Sequence, residues 1–303
     1  MDLHSKIYVA GHKGLVGSAL VRALQKEGHD NLVYRTRQEL DLIRQGDVEA
    51  FFAKERPDVV FLAAARVGGI WANENYQAEF IYQNLMVQCN ILESAFRNGV
   101  KELLFMGSSC IYPNDKTVAI KESDFMNGPL EKTNDAYAIA KIAGIKACDA
   151  YRRQHAVRYI AVMPTNLYGP NDNYDLKDAH VLPALLRKFH EAKMNGADTV
   201  TVWGTGTPRR EFLYVDDLAD ACLHIMRHYQ GTDIINIGCG EDLTIRELAE
   251  LIGQVVGFQG RLVLDPSKKD GTRRKLLDIS RIRELGWRPK VSLEQGLRMT
   301  GTG

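Results

Sequence analysis

Tyr137 and Lys141 stand four residues apart in the run Tyr-Ala-Ile-Ala-Lys. On a helix, positions i and i+4 share a face, so the ammonium would lie near the phenol. A free tyrosine titrates near pH ~10. A neighbouring cation together with an oxidised, positively charged cofactor would favour the phenolate and lower that value. Such a phenol can give or take a proton at a carbonyl oxygen while hydride moves at the carbon. Alone, the pair is two common residues at a common spacing. Two further features give it meaning.

The first is Gly107-Ser108-Ser109-Cys110, which directly follows the apolar run of residues 102–107. At the C-terminal end of a parallel strand, a serine hydroxyl can hydrogen-bond a substrate carbonyl. Ser108 is well placed for this; Ser109 could also serve, and spacing does not choose between them. The second is Gly11-His12-Lys13-Gly14-Leu15-Val16-Gly17, between a strand pattern and a helix pattern. Its glycines allow a tight turn and close backbone approach to a pyrophosphate, which the helix N-terminus then faces with free amides. The expected cofactor is therefore a dinucleotide.

The end of the second strand selects its type. An NAD site usually has an acid there for the ribose 2′-hydroxyl. The chain reads Tyr34-Arg35-Thr36-Arg37, with no acid at that point. Arginine suits a 2′-phosphate, and Lys13 adds a second cation, so the expectation is NADP(H).

These groups need a scaffold. Apolar runs at 6–10, 32–35, 59–64, 102–107 and 158–163 read as strands, separated by helical patterns at 15–27, 48–54, 81–98 and 137–154. Continuous apolar strands alternating with helices imply a parallel sheet covered on both faces, the doubly wound α/β (Rossmann) class. Further on, 181–195, 215–228 and 244–256 read as helices, with Asp216 as the cap of the second, and 200–203 and 234–237 as strands. Basic loops fill the remainder. The expected division is a nucleotide domain over 1–166 plus about 214–238. A smaller C-terminal substrate domain takes about 167–213 plus 239–303.

A formal net charge of +1 gives no reason to expect a nucleic-acid or anionic-membrane binder. No apolar stretch approaches the roughly 18–20 residues that span a bilayer. The five cysteines have irregular spacings and no C-x-x-C, against both a disulfide framework and a metal site. Free thiols, and a start that runs directly into the glycine turn, suit a cytoplasmic protein.

The motifs GHKGLVGSAL, AAARVGGI, GSSCIYP, YAIAKIAG, MPTNLYGPNDN and WGTGTPRREFLYVDD, spread over nearly the whole chain, resemble those of the GDP-L-fucose synthases. These are the epimerase/reductases of GDP-4-keto-6-deoxy-D-mannose within the extended short-chain dehydrogenases. The resemblance implies epimerisation of the sugar at C3 and C5, then reduction of C4 by NADPH, usually in a homodimer. It assigns Ser108, Tyr137 and Lys141 to reduction and Cys110 and His180 to proton transfer. It also assigns Pro164, Thr165, Asn166 and Leu167 to the nicotinamide pocket, with His180 touching the cofactor, and Lys188, Trp203, Arg210 and Asp270 to the GDP-sugar. Free cysteine and histidine titrate near pH ~8.5 and ~6.5, both usable near neutrality. A 4,6-dehydratase would tend to carry Asp-Glu where this chain has Cys110-Ile111. A 4-epimerase has no need of a Cys/His pair. A non-enzymatic scaffold on this fold would often lack Tyr137 or Lys141. The chain departs from the family at 269 and 273, where prolines are common. It also ends at Gly303 without a further aromatic helix, which reads as a truncation that lowers stability.

Overall fold

A computed structural model describes residues 1–176, 178–268 and 270–301; the departure at 269 and the end at 302–303 lie outside them. Six parallel strands form the main sheet: β1 (Ile7–Ala10), β2 (Leu32–Val33), β3 (Val59–Leu62), β4 (Glu102–Met106), β5 (Arg158–Pro164) and β10 (Ile235–Ile237). Their order is β10-β5-β4-β3-β1-β2. β1, β3 and β10 are buried at every residue, as a two-faced parallel sheet requires. Helices α1 (Leu15–Lys26), α2 (Gln45–Glu55), α4 (Gln77–Arg97), α5 (Asp135–His155) and α7 (Val215–His228) connect or cover these strands, with α3 (Ile70–Asn75) leading into α4. The order reverses at β1, whose neighbours are β2 and β3, so the crevice at the strand ends opens between β1 and β3.

A second apolar core lies outside this sheet. It joins α6 (Val181–Met194), α8 (Ile245–Val256) and α10 (Leu293–Gly301) with residues of β6 (Asn166–Tyr168), β7 (Thr199–Trp203) and β9 (Phe212–Tyr214). β7 pairs with β12 (Arg261–Asp265), and β6 pairs with β9. A three-stranded sheet sets β8 (Arg209–Arg210) between β11 (Leu243–Thr244) and β13 (Arg274–Lys275). α8 starts with a reciprocal cap between Thr244 and Glu247, the pattern its sequence carries.

Several expectations are corrected. Asp216 does not cap α7: Tyr214 stands at the N-cap, and Asp216 pairs with Arg22 of α1. Asp216 lies inside the first turn of α7, past the position from which a side chain caps the helix. The second strand stops at Val33, because Arg35 turns away to Glu55. The last third is not mainly loop, since β12, β13, α9 (Ser280–Glu284) and α10 lie within it. Leu277, Ile279, Ile282 and Trp287 pack into the first core rather than the second.

One buried carboxylate joins the parts. Glu211, fully buried between β8 and β9, accepts from the Gly240 amide at 2.7 Å and the Leu277 amide at 3.0 Å. Its own carbonyl accepts from Thr165 Oγ1 and Asn166 Nδ2. Replacing it by leucine strands two buried amides, each costing about 1–3 kcal/mol. The Glu211→Leu variant should therefore lose about 2–6 kcal/mol of unfolding free energy, read from urea denaturation; an unchanged midpoint refutes the role.

Candidate active site

The glycine turn has the shape a dinucleotide needs. Gly11 has φ +85°, and a Cβ there would sit 2.8 Å from the Ala64 backbone. A Cβ on Gly17 would lie 2.0 Å from the Gly11 carbonyl. Gly14 is the N-cap of α1 and has no side chain to occupy the helix amides, so they remain available to an anion. His12 stacks on Tyr34, its ring centroid 4.6 Å away. Burial, then the Lys13 charge, holds the His12 imidazole below its usual range. Of the two arginines after β2, Arg35 is committed to Glu55 at 2.7 Å and lies over the Phe51 ring. Lys13 and Arg37 are exposed. The residues present thus fit a dinucleotide, with Lys13 and Arg37 as the cations left for an extra phosphate.

Ser108 ends the segment after β4, and its Oγ accepts from the Cys110 amide at 3.2 Å. Serine commonly starts a helix this way, and a short 3₁₀ turn, Ser109–Ile111, follows. Ser109 is buried, while Ser108 is half-buried toward the site, so the structure favours Ser108 where spacing could not choose. Tyr137 lies on the first turns of α5 and is hydrogen-bonded to Ser108.

Lys141 is buried, with its Nζ 2.8 Å from the Met106 carbonyl and 5.8 Å from the Tyr137 ring centroid. Lys141 does not by itself lower the Tyr137 phenol. Burial first, and then the Cys110 charge, push it well above the ordinary value, with the Ser108 hydrogen bond opposing. Burial likewise brings Lys141 down to about 8. Spacing sets which groups meet, but desolvation sets how they titrate.

Cys110 behaves differently. Burial alone would raise its thiol, yet the Lys275 charge and hydrogen bonds from Ser108, Lys275 and Asn134 outweigh it and hold the thiol below its usual value. Lys275 Nζ lies 3.4 Å from Sγ and Asn134 Nδ2 lies 3.3 Å from it. His180, at the N-cap of α6, is open to the cleft. The surrounding protein, and then the Lys275 charge, lower its imidazole. Lys275 thus contacts Cys110, and its charge also acts on His180, the other member of the expected proton-transfer pair. Neither Lys275 nor Asn134 is visible as functional in sequence: one is a basic residue among several, the other an asparagine before a helix.

Farther out, Lys188 and Lys268 lie over the exposed Trp203 ring at 4.9 and 5.5 Å. Lys268 went unrecognised because it is close only through the pairing of β12 with β7. Arg210 Nη1 donates to the Thr272 and Arg209 carbonyls. Burial lowers its pKa, while the charges of Cys110, Glu131 and Asp270 act against that. Asp270 accepts from Thr205 N at 2.9 Å and Thr205 Oγ1 at 2.6 Å, so part of its carboxylate is held by that turn. Pro164 ends β5, Leu167 lies in β6, and Thr165 and Asn166 are tied to the Glu211 carbonyl. Asn84 is structural: its amide bonds both backbone groups of Arg66. Among the described residues no cluster of metal ligands occurs, and no helix is long and apolar enough to cross a membrane.

A doubly wound sheet with a glycine turn at its switch point and Ser108, Tyr137 and Lys141 at the strand ends defines a dinucleotide-dependent enzyme acting at a carbonyl. Comparison with known proteins narrows the class. Residues 7–238 match the NAD dependent epimerase/dehydratase family, to which the chain belongs. GDP-L-fucose synthase 1 of Arabidopsis thaliana is 60% identical, covering 99% of this chain and 93% of that protein. The GDP-L-fucose synthase of Escherichia coli is 53% identical, covering 97% and 95%. A GDP-L-fucose synthetase from Naegleria fowleri bound to NADP superposes with TM-score 0.90 at 30% identity, covering 98% and 92%. A GDP-mannoheptose C4 reductase from Campylobacter jejuni with NADP bound gives 0.91 at 42%, covering 99% and 98%.

The Lys141 shift has a definite sign. Between about 8 and its model-compound value of 10.5 the folded chain holds fewer protons than the unfolded one, so this contribution to stability rises with pH. The parent should gain on Lys141→Met across that interval, read from urea midpoints. A gap that is flat or moves against the parent sinks the assignment.

Proposed function

We propose that this enzyme epimerises GDP-4-keto-6-deoxy-D-mannose at C3 and C5 and then reduces C4 with NADPH to give GDP-L-fucose. The observation that carries the reading is that Lys275 Nζ contacts the Cys110 sulfur, beside the Ser108–Tyr137 pair, while its charge also acts on His180. A simple reductase needs only the latter pair; a site that also moves protons at carbon needs a second acid/base set.

The C4 ketone acidifies the hydrogens at C3 and C5. One of Cys110 and His180 removes a proton, the other returns one to the opposite face, and the enolate oxygen lies against Ser108 and Tyr137. Burial favours the protonated Tyr137 phenol, which suits it to donate to that oxygen and, during reduction, to O4. When bound, NADPH supplies hydride to C4. Gly11, His12, Lys13, Gly14, Leu15, Val16 and Gly17 would hold its pyrophosphate, and Lys13 and Arg37 its 2′-phosphate. Pro164, Thr165, Asn166 and Leu167 would line the nicotinamide side, with Lys141 and His180 close by. Arg210 and Lys188 would meet the diphosphate, and Trp203 and Asp270 the nucleoside. The reading includes a homodimer in the cytoplasm.

Incubation with the keto-sugar and NADPH should consume the cofactor and yield GDP-L-fucose by NMR; no NADPH consumption by folded protein overturns the reading. Cys110→Ser should slow epimerisation by about 10²-fold or more while retaining some direct C4 reduction. Undiminished epimerisation removes Cys110 from the mechanism. Arg37→Ser should raise the KM for NADPH about ten-fold or more, as expected for one lost charge-assisted bond, and leave that for NADH nearly unchanged. Equal effects on both cofactors would exclude the 2′-phosphate contact.

A further inference from the structure

Asn134 is the N-cap residue of α5, a place where asparagine normally accepts from the first helix amides. Here its side chain makes no capping bond. Its Nδ2 donates instead to Cys110 Sγ at 3.3 Å, and its Oδ1 is buried without a partner. Across the sulfur, Lys275 Nζ approaches to 3.4 Å. A neutral thiol would find a ready acceptor in Oδ1, yet the sulfur faces the donor end of the amide and an ammonium. Surrounded by donors, it is placed as an acceptor. A small recess of about 30 Å³ adjoins it, lined among others by Asn114, Glu131, Thr272 and Arg274.

We propose that Lys275 and Asn134 are positioning residues that cradle Cys110 as a thiolate for the proton transfers at the sugar carbons. This rests on the reading of Cys110 as an acid/base residue and goes beyond it. The lowered titration of the thiol despite burial agrees with the geometry. The other groups facing the sulfur are consistent with it. Arg210 and Lys141 add positive charge, the Ser108 hydrogen bond favours the anion, and the Tyr137 phenol stays protonated through burial. The surrounding protein, and then the Lys275 charge, disfavour the imidazolium form of His180. Lys275 reaches the site from β13, whose partner β8 carries Arg210. The segment that meets the diphosphate thus also sets the charge beside the sulfur.

The test is the pH dependence of Cys110 alkylation by iodoacetamide in the full-length, NADPH-loaded enzyme, with Cys110 followed by peptide mass. Wild type should react with a midpoint below that of free cysteine, roughly 8.5. Lys275→Gln should move it upward by a unit or more and slow alkylation at pH 7 about ten-fold, which corresponds to one unit of thiol pKa. Lys275→Arg should restore most of the rate, and Asn134→Ala should shift the midpoint in the same upward direction. Exchange of substrate deuterium at C3 and C5 should slow in Lys275→Gln through kcat, with little change in KM. A wild-type midpoint at or above that of free cysteine overturns the proposal, even if the variants do not fold. So does an unchanged profile in Lys275→Gln, or a rise in KM alone, which marks Lys275 as a phosphate contact. Should Cys110→Ser keep full epimerisation, the acid/base reading falls, while the thiol profile still reports on the cradle.

Discussion

Glu211 is the joint on which the substrate side of the molecule hangs. Its carboxylate is fully buried, and burial raises its pKa against the opposing hydrogen bonds from backbone amides. A carboxylate is tolerated there because its oxygens are satisfied by the Gly240 and Leu277 amides. The bonds fix three segments of the chain at once. Arg210 precedes Glu211, Lys275 lies two residues before Leu277, and Thr165 and Asn166 bond the Glu211 carbonyl. The turn after β5, the candidate diphosphate ligand Arg210 and the cation beside the thiol therefore share one anchor. An apolar core alone could not fix these positions so closely, since packing is less directional than hydrogen bonding.

Electrostatics within the site are set by a contest between burial and charge, and the outcome differs by residue. Burial wins at Tyr137 and at Lys141, pushing the first up and the second down. Both shifts favour the neutral form. At Cys110 charge wins: Lys275 and three hydrogen bonds reverse the burial effect. At His180, which is exposed, the surrounding protein and the Lys275 charge act in the same direction. One ammonium thus favours the proton-accepting form of both partners.

The fold was largely legible because its signals are local. Buried strands such as Val59–Leu62 are short apolar runs, and α1, α6 and α8 carry helical spacing with readable starts. The glycine turn and the i, i+4 pair are equally local. What escaped is tertiary. β8, β11 and β13 have two residues each, too few for any periodicity to show. Asp216 looks like a cap until Arg22, 194 positions away, is brought beside it. The phenol shift at Tyr137 follows from burial, which spacing does not carry. Lys275 stands 165 positions from Cys110 and meets it only after both cores have formed. A resemblance between motifs can locate the residues that face the substrate; the residues that tune them lie outside the motifs.

That distance bears on rigidity. Ser108 and Cys110 hang from β4 in the first core, whereas Arg210 belongs to the segment leading into the second. If the two moved freely, the thiol would lose its cation whenever they parted. The chain opposes this with short cross-links close to the site. Ile120 N donates to the Leu276 carbonyl and Asp278 N to the Ile120 carbonyl, which brackets the strand end just beyond Lys275. Thr272 Oγ1 donates to Glu131, three residues before Asn134. Tyr112 OH donates to the buried Asn236, whose amide donates in turn to the Ile120 and Asp278 carbonyls. Both ligands of the sulfur are therefore tied to the frame that carries Cys110. Backbone bonds of this kind resist sliding better than a surface ion pair, whose long side chains adapt at little cost. Lys188 and Lys268, over the exposed Trp203 ring, have no such bracing among these bonds, whereas the contact between ammonium and sulfur is held on both sides.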